Sequence, residues 1–163
     1  MAALLVVTTG IAGCRTAHSD SKRSLAGAAA SPEALAERAL AALAANDLEG
    51  MKSLRLTKAE FCRYVFPELP AAKLPNVSCD WVWDQATLKS MAGMKRVVDA
   101  SAGRKLELVS VRFTGEDRYA SYRVLKNPVV TVRDPSGAVT EERLFGSVLE
   151  LDGQYKLFSF VVD

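Results

Sequence analysis

The residues able to do chemistry are few, and their spacing excludes more than it supports. The chain holds one histidine, His18. It lies among small polar residues near the N-terminus, so a Ser-His-Asp or Cys-His site in the body has no imidazole to use. Cys14, Cys62 and Cys79 are the three cysteines. Cys62 and Cys79 have no histidine companion in the body, which argues against zinc. The glycines are scattered at turns and build no phosphate-cradling loop. No cofactor and no metal site is therefore expected. Asp84, Asp99 and Tyr122 are the groups to weigh as general acid or base. Asp80 reads as a helix cap and Asp84 as a solvated helix-face residue, so no catalytic residue is assigned. Tyr64, Trp81, Trp83, Tyr122 and Phe160 are candidate pocket walls, with core packing the plainer role for each.

The 163 residues carry 21 Lys and Arg against 19 Asp and Glu, a net charge of +2. Arg15, Asp20, Lys22 and Arg23 account for the whole excess, leaving 18 of each sign from Pro32 onward. A neutral body cannot supply the field that nonspecific nucleic-acid binding needs. Apolar residues at 49% and charged residues at 25% are an ordinary globular composition, and the length suits one domain.

Residues 1–13 (MAALLVVTTGIAG) form one uncharged, mostly apolar run ending at Cys14. It is too short to span a bilayer, which takes about 20 apolar residues, but it fits the apolar core of a secretory signal. Ile11-Ala12-Gly13-Cys14 resembles a bacterial lipoprotein lipobox: an aliphatic residue, two small ones, then cysteine. The resemblance implies cleavage between Gly13 and Cys14, lipidation of Cys14 and a membrane anchor through it. Arg15 stands where an aspartate would signal inner-membrane retention, so the implied address is the periplasmic face of the outer membrane. The pattern departs from such signals in having no Lys or Arg before the apolar run. Residues 14–31 then have the small, polar composition of a flexible tether. In an oxidising periplasm Cys62 and Cys79 are expected to form a disulfide across the Pro-rich connection; two buried free thiols are the other reading.

The remaining elements must position whatever site exists. Ser31-Pro32-Glu33 is a helix start, with Leu35, Ala39, Ala42 and Leu43 on one apolar stripe. Asn46-Asp47 caps a short helix, Thr57 to Glu60 has capping-box spacing, and Asp80 is expected to cap a long helix from Trp81 to about Ser101. Past Gly103 the period becomes two, predicting strands with Val109, Val111 and Phe113 buried and a turn at Gly115-Glu116-Asp117. Asp134-Pro135-Ser136-Gly137 is a further turn, and Asp152-Gly153 joins a hairpin formed by residues 139–151 and 154–163. The predicted fold class is α+β, with three N-terminal helices packed on a curved antiparallel four-stranded meander. Both faces of the last hairpin are apolar. Either a strongly curved sheet covers the second face, or a homodimer forms through the outer sheet face.

The segment AALAANDLEGMKSL and the ending LFGSVLELDGQYKLFSFVVD resemble the opening and the last hairpin of the NTF2-like (SnoaL-like, cystatin-like) α+β cone. The resemblance covers most of residues 32–163, taken as a single domain. It implies a conical pocket and frequent dimers, and it brings no particular activity. The expected function is a lipid-anchored envelope protein acting as a non-catalytic binding module for a small apolar ligand or an envelope protein. A cone-fold isomerase, dehydratase or hydrolase using a pocket carboxylate is the alternative, and an envelope assembly subunit a third.

Overall fold

The computed structural model describes residues 23–161; the lipobox, Cys14 and His18 lie outside them. Helix α1 (Pro32–Ala44) starts where Ser31 accepts from the Ala34 amide, and α2 (Leu48–Ser53) starts where Asp47 accepts from the Gly50 amide. These side chains satisfy amides that a helix cannot bond internally. Short α3 (Lys58–Glu60) carries the full reciprocal capping box of Thr57 and Glu60. It runs on as a wider helical turn through Phe61–Val65, then as tighter turns at Phe66–Glu68 and Pro70–Lys73. Helix α4 (Cys79–Ser101) is capped by Ser78, whose side chain accepts from the Trp81 amide; Asp80 lies two residues later, already inside the first turn, and pairs with Lys58. Gly103, at a φ of 75°, lets the chain leave α4 and donates its amide to the Leu43 carbonyl.

The chain is α+β, with one helix more than the sequence predicts and an antiparallel sheet of five strands. These are β1 (Glu107–Arg118), β2 (Arg123–Arg133), β3 (Val139–Glu142), β4 (Ser147–Leu151) and β5 (Gln154–Ser159), in the order β1-β2-β4-β5 with β3 also on β2. The single strand expected over residues 139–151 is split. β3 pairs with residues 130–133 and β4 with residues 123–125 of β2, and the stretch between them is unpaired with it. Pro128 of β2 lies at this gap. It has no N–H to offer a partner strand, so a break there costs the ladder less than elsewhere.

Two other expectations are corrected by irregular pairing. β1 runs straight through Gly115-Glu116-Asp117 to Arg118, and the turn falls at residues 119–122, closed by the Tyr119 amide on the Tyr122 carbonyl. A register shift between Leu108 and Ser110 leaves Val109 44% exposed, while Leu108, Val111 and Phe113 pack on the core. In the last hairpin Leu151↔Gln154, Leu149↔Lys156 and Val148↔Leu157 pair as alternation predicts. A shift then puts Ser147 opposite Ser159 instead of Phe158.

Two apolar clusters flank this hairpin. Val148 and Leu157 pack with the α1 stripe and with Met94, Val97 and Val98 of α4. Leu149 and Leu151 pack instead with Leu25, Leu56, Phe61, Val65, Tyr122 and Val124. The second hairpin face is thus covered by the chain's own residues 25 and 56–65. Residues 23–30, expected to belong to the flexible tether, are docked on the body. Arg23 makes a two-point ion pair with Asp152, Leu25 is buried, and Ala29 exchanges backbone hydrogen bonds with Tyr155.

Candidate functional site

The gap in the sheet opens into a cleft of about 400 Å³, within the range of small-ligand sites. Asn127 and Pro128 form one lip, and Arg143, Phe145, Gly146 and Ser147 form the other. The floor and far wall are Phe61, Val82, Ala86, Val124 and Phe158. Local structure places each wall. The Thr57–Glu60 box aims the wide helical turn so that Phe61 is buried, 6.3 Å from the Phe158 ring and 5.4 Å from Trp83. The Cys62–Cys79 disulfide, with Cα atoms 5.6 Å apart, ties that turn to the start of α4, which carries Val82 and Ala86. Gly146 donates its amide to the Ser159 carbonyl, and a Cβ there would overlap the Val161 carbonyl. Only glycine admits this close approach of the lip to the chain end.

Polar groups stand on both lips of a largely apolar enclosure, Asn127 on one and Arg143 and Ser147 on the other. Lys126 pairs with Asp117 at 2.7 Å, and both side chains are exposed to nearly half. Among the described lining residues Asp117 is the one carboxylate, and it is taken up in that ion pair. The most buried carboxylate nearby, Glu60, lies outside the lining and is bonded to Lys156 and to the Thr57 and Ala26 amides. Among the described residues, no group of three or more His, Cys, Asp or Glu side chains converges as metal ligands would. No helix of the described residues is long and apolar enough to cross a membrane.

The proposed acid–base groups lie elsewhere. Asp84 is 3.9 Å from Lys58 and Asp99 is 2.7 Å from Lys95, both on the surface. Tyr122 is buried, donates its hydroxyl to the Val65 carbonyl at 3.2 Å and stacks on Tyr119. Burial, then the neighbouring Tyr119 and Glu68, pushes its phenol well above the ordinary value. It will not ionise at neutral pH.

None of the five aromatic candidates lines the cleft. Tyr64 lies under Arg63, Trp81 is 59% exposed, and Trp83 packs between Phe61 and Arg55. Tyr122 and Phe160 belong to the two core clusters. The lining aromatics are Phe61, Tyr119, Phe145 and Phe158. One signal for them was present in the sequence: alternation along the last hairpin put Phe145 and Phe158 on one face. The split of β3 from β4, which turns that face into a cleft wall, has no comparable local signature.

No protein-family model, curated protein or solved structure matches the chain.

Proposed function

We propose that this chain is a lipid-anchored protein of the bacterial envelope, tethered through Cys14, whose NTF2-like domain binds a small, mainly apolar molecule. The observation that carries the binding half is the cleft at the sheet gap, walled by Phe61, Phe145, Phe158 and Val82. Asp117, the one carboxylate among its described lining residues, is held in an ion pair. A catalytic cone would need a desolvated acid or base aimed at the ligand, so the geometry favours holding over reacting. The anchor half rests on the lipobox-like Ile11-Ala12-Gly13-Cys14 and on the apolar run before it. The Cys62–Cys79 disulfide supports an oxidising compartment.

Two experiments test the two halves separately. The full chain, purified from its own membranes and analysed by native mass spectrometry, should carry a small apolar molecule. Ala86→Phe, which fills the cleft from an exposed position on α4, should lose that mass while melting within about 2 °C of the parent, as surface substitutions do. Retention of the molecule by this variant would place the site elsewhere. For the anchor, Cys14→Ser should move the protein from the membrane fraction to the soluble one; continued membrane fractionation would refute lipidation.

A further inference from the structure

Among the described residues, one buried positive charge, Arg55, has no counter-charge. Arg55 follows α2, and its backbone bridges Leu157 of β5. The residue is 7% exposed. A terminal nitrogen, Nη1, donates to the Thr87 hydroxyl at 3.0 Å, and the guanidinium carbon lies 4.3 Å from the centre of the Trp83 ring. Trp83 and Thr87 are one turn apart on α4, so they present to Arg55 from the same helix face. Burial lowers the Arg55 pKa to about 10, and no neighbouring carboxylate opposes the shift.

A guanidinium carries five N–H donors in one plane, and among the described residues a single one finds a partner. Nε is the one buried side-chain nitrogen or oxygen without a partner among the described residues. Nη2 also lacks a partner but is not among the fully buried atoms, so it reaches the surface. The Thr87 oxygen accepts from Arg55, which leaves its own proton to donate outward. The Trp83 ring, 4.3 Å from the guanidinium carbon, offers a cation–π contact that does not use up any N–H donor. A buried cation without a counter-ion is costly, and an acceptor of opposite charge at that edge removes the cost.

We propose that Arg55, Thr87 and Trp83 form a binding site for a compact oxyanion, a phosphate or carboxylate group. Nη2 and the Thr87 hydroxyl donate to it, and Trp83 packs against the guanidinium. The site is separate from the cleft, since none of the three residues lines it. It therefore stands independently of the small-molecule reading.

The test compares thermal midpoints of the full chain at pH 7 in sodium chloride, sodium phosphate and sodium acetate at equal ionic strength. Phosphate, acetate or both should raise the midpoint by about 4 °C at ten times the dissociation constant, and which one does so identifies the chemical source. Arg55→Met keeps an apolar stem beside Trp83 and removes the unpaired charge. It should melt at or above the parent in chloride and show no anion-dependent rise. Equal parent midpoints in all three salts, or a rise that persists in Arg55→Met, would overturn the site. Should Arg55→Met fail to fold, the Arg55 Nε–H resonance of the parent decides. A saturable shift on phosphate or acetate titration, absent with chloride, supports the site, and a static resonance overturns it.

Discussion

The Lys156 ammonium lies 3.0 Å from the Glu60 carboxylate, and the two side chains are only 2% and 9% exposed. This pair joins three parts of the chain that are distant in sequence. Lys156 comes from β5, Glu60 from the capping box before Phe61, and the other Glu60 oxygen accepts from the Ala26 amide of the docked N-terminal segment. The cleft wall at Phe61 is thus pinned to the sheet by a buried charge pair. Its energetics follow from desolvation. A buried pair gains little over apolar residues of the same shape, but removing one partner strands the other charge.

Lys156→Met alone should therefore cost about 3–5 kcal/mol, since it leaves Glu60 charged and buried. The double variant Lys156→Met with Glu60→Gln should cost clearly less than the sum of the two single changes. Urea unfolding of the four proteins measures this coupling. Strict additivity would show that the pair does not act as a unit.

Glu60 also ties stability to pH. Burial by itself would raise its pKa, but the Thr57 amide, the Lys156 ammonium and the Ala26 amide outweigh that and hold it below the ordinary value. A lowered folded pKa means stabilisation that is complete above the unfolded value, about 4.3, and is lost as pH falls through the folded one. Thermal midpoints of the parent should fall between pH 5 and pH 3 more steeply than those of Glu60→Gln. Parallel curves would refute this role.

The disulfide makes a third prediction. Cys62 and Cys79 are 17 residues apart, and a closed loop of that size is worth roughly 3 kcal/mol through the entropy it removes from the unfolded chain. Replacing both cysteines with serine should lower the unfolding free energy by about that amount. Reductant should destabilise the parent and leave the double variant unchanged. Because the bridge holds the Phe61 turn against α4, ligand retention should weaken with it.

The N-terminal segment is testable by length. A fragment starting at residue 32 lacks the buried Leu25, the Ala29–Tyr155 backbone pairing and the Arg23–Asp152 ion pair. It should unfold at lower urea than a fragment starting at residue 23. Leu25→Ala in the full chain should cost about 2–5 kcal/mol, as deletions of buried leucine side chains do. Equal stability of the two fragments would show that the segment docks without contributing.

Much of the architecture was legible because it depends on residues close together in the chain. Ser31, Asp47 and the Thr57–Glu60 box cap the helices their sequence assigns, and Asp152-Gly153 sets the first four pairs of its hairpin. Caps and two-residue turns are decided by side chains within three or four positions of the backbone they bind. Asp80 misled for the same reason: Ser78, two residues earlier, has an equally suitable oxygen and took the cap.

The site was not legible in this way. The sequence by itself determined the α+β class, the starts of the first three helices and the last turn, and it made a Cys62–Cys79 bridge the expectation. Tertiary structure alone decided that the strand over residues 139–151 breaks opposite Pro128, and that Phe61 and Phe158 meet behind the break. It also decided that residues 25 and 56–65 cover the second hairpin face, and that among the described residues Arg55 is buried against Trp83 without an acid. Each of these depends on which distant segments come to lie side by side. Alternation and capping carry no information about that, because their physical range is a single turn or a single pair of strands.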